Sequence, residues 1–406
     1  MHASRAKVKP RAAPRRHRPP LPDELVLDIL ERVAALEPDE TPRSHKLRRK
    51  TLVALCRLAK RFVADVKRKL YVRVTLRLVL PSQVVRGSVQ YVLDREPHLR
   101  KVVKAVHLTG DKAAVGEPRV RELLRGLVNV DDMYYGGLSG AAIEVLRNMP
   151  AGQLRRLQAP TGFHVHEVVD FERARAVLSG VTHLTLWDVH GLEPVLVYLP
   201  SLHTFFVAGT AFPGPSLDRL AESTNAVRWQ LSTMRLPIGV FASWHYDLSI
   251  YDNLAHFTLG IDAVTAPSFV DMIPRIVRTL ESLEWLAHLQ SLTLEGCVEA
   301  WQDRTPAGRS TGRILASQAD IPPSTNDILL AVPPQIRRLS LLTPCLRTDD
   351  VARYLLGISR PPNLELLQAG DRLGRSLRKM LGGGAGPFRG LAGALARAGI
   401  KVAIVE

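Results

Sequence analysis

Residues 289–297 read Leu289-Gln-Ser-Leu292-Thr-Leu294-Glu-Gly-Cys297. Leu292 and Leu294 alternate with polar neighbours, the period of a strand that buries one face. Leu289, three residues earlier, adds an apolar anchor where the chain turns into that strand. A strand this short cannot be stable alone, so it needs neighbours of its own kind. The sequence supplies them. The same apolar-x-x-apolar-x-apolar spacing recurs at Val103/Val106/Leu108, Val130/Met133/Tyr135, Leu154/Leu157/Ala159, Val181/Leu184/Leu186 and Leu202/Phe205/Val207. It continues at Ala226/Trp229/Leu231, Leu254/Phe257/Leu259, Ile336/Leu339/Leu341 and Leu364/Leu367/Ala369. Start-to-start spacings run from 21 residues (Val181 to Leu202) to 47 (Leu289 to Ile336), and most lie between 21 and 28.

A period of that length resembles the leucine-rich repeat, whose L-x-x-L-x-L-x-x-C signature residues 289–297 reproduce in full. The other copies lack parts of it, so the resemblance implies an irregular solenoid. Stretches with helical periodicity fall between the strand units: Arg119–Leu127, Ala141–Met149, Phe171–Leu178, Ser216–Glu222, Ser268–Leu286, Thr348–Ile358 and Phe388–Ala398. Stacking such strand–helix units buries a continuous core that no single unit could form. The rival reading is an ordinary doubly wound α/β domain, which also alternates strands and helices. Short strands, a fairly steady period and the lack of phosphate-loop glycines after the first strands favour the solenoid. The long spacing before Ile336 contains residues 302–326, rich in Gly, Pro, Ser and Arg, read as an exposed insertion loop. Lys401–Val405 reads as a closing strand.

The charge sits at one end. The formal net charge is +16. Residues 1–77 hold 21 Lys/Arg against 8 Asp/Glu, an excess of 13, which leaves 3 for the other 329 residues. Residues 1–20 carry seven Lys/Arg, four Pro and no acid, a composition that cannot build a core and reads as a disordered basic tail. A solvated tail with a nuclear-import patch accounts for this charge, and nucleic acid is not expected as the main partner. No run of about 18 apolar residues points to a membrane span. Cys56, Cys297 and Cys345 are scattered, which argues against a disulfide framework and a structural zinc site and for a reducing compartment, cytoplasm or nucleus.

Between the tail and the repeats, residues 21–76 read as a three-helix module. Pro22 suits a first helical turn, and Asp23 and Glu24 place negative charge on the positive end of the helix dipole. Val26, Ile29, Leu30 and Val33 form one apolar stripe, while Leu21, Leu25 and Leu27 fall partly outside it. A second stripe runs through Leu52, Leu55, Cys56 and Ala59, and a third through Phe62, Val66 and Leu70. So small a module has one core to face, so the surplus apolar side chains need a partner. Residues 72–76 alternate and read as a strand leading out.

The order Leu-Pro-x-Glu-Leu-x-x-x-Ile-Leu from Leu21, a Leu/Cys-rich helix, then a basic helix ending Leu-Tyr-x-x-Val-x-Leu resembles the F-box, and especially fungal F-box proteins with irregular leucine-rich repeats. The resemblance implies an α/β chain with a basic tail (1–20), a three-helix F-box module (21–76) and a leucine-rich-repeat-like solenoid (77–406). It implies docking to the Skp-type adaptor of a cullin–RING ubiquitin ligase through Leu21, Pro22, Leu25, Ile29, Leu30, Leu55, Cys56 and Phe62. The repeats would then hold a target protein, with no cofactor and no catalysis in this chain. An F-box-like scaffold without a ligase is the alternative.

Target recognition is expected where aromatic residues crowd the middle repeats: Trp187, Phe206, Trp229, Trp244, Tyr246 and Tyr251. Trp and Tyr are enriched in binding hot spots, and repeat solenoids bind on the strand face and its adjoining loops. Other constellations are weaker. His164 and His166 have a strand-borne metal spacing but no convincing third ligand, so exposed loop histidines are the default. Residues 382–386, Gly-Gly-Gly-Ala-Gly, lack the Lys-Ser/Thr ending of a phosphate loop and read as a link into the last helix. No H-E-x-x-H or G-x-G-x-x-G motif is present.

Overall fold

The computed structural model describes residues 63–159, 176–186, 199–207, 227, 230–238, 248, 251–261, 266–296, 325–343, 346–382 and 390–405. The chain divides into two compact units, Met1–Val72 and Arg73–Glu406. In the first, the described element is α1 (Val63–Tyr71), whose Arg68 and Lys69 sit in the last turn, where the helix dipole favours cations. Its Val66 is fully buried.

Among the described residues, the second unit is built on twelve parallel strands. They are β1 (Arg73–Leu78), β2 (Ala105–Gly110), β3 (Asp132–Tyr135), β4 (Arg156–Ala159), β5 (His183–Leu186) and β6 (Thr204–Val207), followed by β7 (Thr233–Pro237), β8 (His256–Ile261), β9 (Ser291–Gly296), β10 (Arg338–Leu342), β11 (Leu366–Gly370) and β12 (Lys401–Val405). Their order in the sheet is their order in the chain. A doubly wound fold reverses its strand order partway, so this topology excludes that rival reading. The strand read as leading out of the helical module is the sheet's first strand, paired with β2 from Arg73↔Ala105 to Leu78↔Gly110.

Crossovers between parallel neighbours are almost always right-handed, a rule that puts the described connections on one face of the sheet. Between β1 and β4 they carry α2 (Val89–Arg95), α3 (Pro97–Arg100), α4 (Lys112–Val115), α5 (Pro118–Arg125) and α6 (Ser139–Leu146). Between β8 and β12 they carry α7 (Ala266–Ser282), α8 (Thr325–Leu330), α9 (Thr348–Leu356), α10 (Asp371–Gly382) and α11 (Leu391–Arg397). Local chemistry starts these helices. Ser88 Oγ accepts from the Tyr91 amide at the head of α2, and Asp111 accepts from the Ala113 amide at the head of α4. Prolines open α3 and α5, where a missing N–H costs nothing. Glu144 of α6, almost wholly buried, accepts from Arg125 of α5 and from Arg147, both at 2.8 Å, and so ties successive repeats together.

The apolar triplets form the core. Val74, Val106, Met133, Leu157, Leu184, Phe205, Met234, Phe257, Leu292, Leu339 and Leu367 make one buried row across the sheet. Leu76, Leu108, Tyr135, Ala159, Leu186, Val207, Leu236, Leu259, Leu294, Leu341 and Ala369 make the next. The anchors that precede each strand, from Val103 to Leu364, are buried too. Each large apolar side chain removed from water contributes about 1.5–3 kcal/mol, summed along a core that no single repeat could form.

One triplet is out of place in the sequence reading. The strand expected at Ala226/Trp229/Leu231 forms five residues later, with Leu231 as the anchor and Met234 and Leu236 as the buried pair. Leu231 fits either as the last residue of one triplet or as the first of the next, so spacing alone cannot choose. Pairing decides: Thr204↔Thr233 and Phe206↔Arg235 on one side, Thr233↔His256 and Leu236↔Leu259 on the other. Ahead of it, the Gln230 amide donates to the Val227 carbonyl. Helix α10 was not expected, and α8 begins at Thr325, inside the stretch read as the insertion loop. Lys401–Val405 closes the sheet as expected.

Candidate interaction surface

Among the described residues, the face of the sheet opposite the buried rows is open. Its side chains are the ones between the buried rows. The first row runs Arg73, Ala105, Asp132, Arg156, His183, Thr204, Thr233, His256, Ser291, Arg338, Leu366 and Lys401. The second runs Thr75, His107, Tyr134, Gln158, Thr185, Phe206, Arg235, Thr258, Thr293, Ser340, Gln368 and Ala403.

A ladder of shared carbonyls extends the sheet by one residue at its N-terminal rim. Lys104 O accepts from the amides of Asp131 and Asp132 (2.8 and 3.1 Å). Asp131 O accepts from Arg155 and Arg156 (2.8 and 2.9 Å), and Arg155 O from Thr182 and His183 (2.9 and 3.1 Å). The pattern continues through Thr182, His203, Ser232, Ala255, Gln290 and Arg337 as acceptors. It holds the rim side chains at one repeat spacing, about 4.8 Å apart.

Several open-face side chains are held in place. His107 and Tyr134 meet edge to face, with ring centroids 4.0 Å apart and planes at 88°. Ser340 donates to Gln368 at 2.7 Å. Arg235 donates from Nε to Glu295 Oε2 at 2.9 Å and from Nη1 to Val207 O at 2.7 Å. Thr182 Oγ1 and His183 Nδ1 are 2.8 Å apart. Partial burial, then coulombic repulsion from Arg156 and from His203, hold the His183 pKa below its ordinary value. Partial burial alone does the same to His107.

Of the aromatic residues proposed for recognition, Phe206 lies on the open face between Thr185 and Arg235. Tyr251 does not serve this role. It is 0% exposed, in the turn that leads into β8, where its ring supplies core volume. Trp187, Trp229, Trp244 and Tyr246 lie outside the described residues, as do Leu21, Pro22, Leu25, Ile29, Leu30, Leu55, Cys56 and Phe62, His164 and His166, and residues 383–386 of the glycine-rich link.

The sequence reading missed Arg156, His183, His203, Arg235 and Glu295. The signal for Arg156, His183 and His203 was available: in apolar-x-x-apolar-x-apolar they occupy x positions, which face away from the core. Trp285, read as part of a longer helix, is 78% exposed at the end of a short 3-10 turn. Among the described residues, no three or more His, Cys, Asp or Glu gather as metal ligands. No described helix is long and apolar enough to cross a membrane.

No family model matches this chain, and no curated protein matches it. Among solved structures it resembles the leucine-rich-repeat-containing protein LegL7 from Legionella pneumophila, with 13% identity and a TM-score of 0.42 over 82% of this chain and 90% of that one. The chain's own sheet defines its class. Twelve parallel strands in chain order, with apolar-x-x-apolar-x-apolar units stacked in register, make Arg73–Glu406 a leucine-rich-repeat-like α/β solenoid.

Proposed function

We propose that this chain is a non-catalytic substrate-recognition subunit of a ubiquitin ligase of the Skp-adaptor, cullin and RING type. Residues 21–76 dock the adaptor, and the open face of the sheet holds a target protein. The carrying observation is the join of an F-box-like segment to a repeat sheet with one face left free. The chain then contributes proximity and orientation, and the chemistry belongs to other subunits. Burying three or four apolar side chains around Leu21, Pro22, Leu25 and Ile29 contributes about 1.5–3 kcal/mol each, before the cost of association. Cytoplasm or nucleus is the matching location.

Affinity purification of wild type beside Leu25→Asp tests this reading. Wild type is expected to recover adaptor, cullin and target together, whereas Leu25→Asp keeps the target and loses adaptor and cullin. Equal adaptor recovery by both would refute the docking assignment. The open face also supports a coarser reading, a repeat scaffold for protein interaction with no ligase. Target recovery without any cullin, in wild type itself, selects that one.

A further inference from the structure

Five neighbouring strands of the open face share one chemical character. From β4 to β8, the two open-face rows and the rim carry Arg155, Arg156, His183, His203, Arg235 and His256, with hydroxyls from Thr182, Thr185, Thr204, Ser232, Thr233 and Thr258. Gln158 and Phe206 complete the polar and aromatic lining. From β4 to β8, no described residue in these rows or at the rim is a carboxylate; Asp252 lies exposed in the turn before β8. Acids reappear at its borders, as Asp131 and Asp132 at β3 and as Glu295 on β9.

The positive groups are not equally committed. Arg235 is neutralised by Glu295. Among the described residues, Arg155 reaches a carbonyl, Gly180 O, at 3.4 Å, and no carboxylate. Arg156 stands in register between Asp132 and His183, and no ion pair within the described residues engages it. Exposed arginines beside hydroxyl and imidazole donors, on a rigid sheet, suit carboxylates.

We propose that β4–β8 bind an extended, acidic segment of a protein, lying across the strands with its carboxylates on Arg155, Arg156 and the donors beside them. The proposal rests on the reading of the open face as the target surface. Four strand spacings of about 4.8 Å make a track of about 19 Å, which about six extended residues at 3.3 Å each would span. Phe206, midway along the track, offers an apolar contact to a side chain between the acids.

The test uses the purified full-length chain without adaptor, so its outcome is independent of the ligase assignment. Fluorescence anisotropy follows a labelled alternating Glu-Ser peptide of about ten residues, enough to cover the track. An alternating Lys-Ser peptide and an oligothymidylate of the same length serve as comparisons. Arg156→Glu is expected to weaken Glu-Ser binding about tenfold, the 1.4 kcal/mol scale of one charge-assisted contact. Arg155→Glu is expected to act in the same direction. Arg119→Glu, exposed on α5 away from the open face, is expected to leave binding unchanged, and thermal unfolding checks that all three variants fold. Equal binding by wild type and Arg156→Glu would assign the peptide to the basic N-terminal residues and overturn the proposal. So would failure of the Glu-Ser peptide to bind, or tighter Arg156-dependent binding of the oligothymidylate.

Discussion

Arg235 of β7 reaches past β8 to Glu295 of β9, Nε to Oε2 at 2.9 Å, and makes one ion pair a brace across three strands. Gly260, the β8 residue in register with Glu295, has no side chain to obstruct the crossing. The Arg235 side chain is only 17% exposed, and its second bond, to Val207 O, reaches back to β6. Arg235→Lys keeps the charge and loses the forked geometry, so it is expected to cost about 1–3 kcal/mol. Glu295 is more exposed, and Glu295→Gln is expected to cost about 1 kcal/mol or less. Urea unfolding of the two variants measures the order; equal stability of Arg235→Lys and wild type contradicts the brace.

Phe205 and Phe206 are consecutive and point to opposite faces of β6. Phe205 is 0% exposed in the first core row. Phe205→Ala is expected to cost about 3–5 kcal/mol, because it leaves a cavity that a close-packed sheet cannot fill. Phe206→Ala is expected to change stability by less than about 1 kcal/mol and to weaken target binding by about 2 kcal/mol. Denaturation and target recovery, measured on both variants, separate the two roles.

Stability is expected to fall as pH drops below the ordinary histidine range. His183 and His107 have pKa values held below 6.5 in the fold. The unfolded chain therefore takes up protons, from about pH 6.5 downward, that the folded chain refuses. Above that range both states are neutral at these sites and the effect vanishes. Arg156, His203 and the Thr182 hydroxyl surround His183, so His183→Gln is expected to lose less stability between pH 7.5 and 5.5 than wild type does. Urea midpoints at the two pH values give the comparison, and an identical drop in both proteins counts against it.

Helix α10 presses its Gly374 against the sheet. A Cβ there would stand 2.6 Å from Ala369 O and 2.8 Å from Ile404 Cγ2, one on β11 and the other on β12. The backbone carbonyl cannot move aside as a side-chain end could. Gly374→Val is expected to destabilise the last repeat by at least the 1–3 kcal/mol of an overpacked core. Hydrogen exchange should show β12 losing protection before β1, since a solenoid transmits damage only to its neighbours. Uniform loss across the sheet is the contrary result.

The repeats were legible in the sequence wherever the apolar spacing had one solution. Leu289/Leu292/Leu294 could be read directly, and so could the closing strand at Lys401–Val405. Ala226/Trp229/Leu231 failed because Leu231 satisfies two overlapping triplets, and only pairing with β6 and β8 selects the later one. Helix α10 was missed because Gly374 and the glycine-rich stretch after it weaken the local helical signal. Tyr251 was misjudged because an aromatic residue in a turn looks the same in sequence whether it points to solvent or beneath the sheet.

The amino-acid sequence by itself determined that this is a chain of short strand units, because alternation over three or four residues specifies which side chains leave water. It also determined where the positive charge concentrates, in residues 1–77. The tertiary structure decided what those units make together. Sequential order in one parallel sheet follows from hydrogen bonds between residues tens of positions apart, and no local pattern encodes it. The same long-range pairing brings Arg235 to Glu295 and sets Arg156 beside His183. A surface with a chemical character of its own exists only once those strands lie side by side.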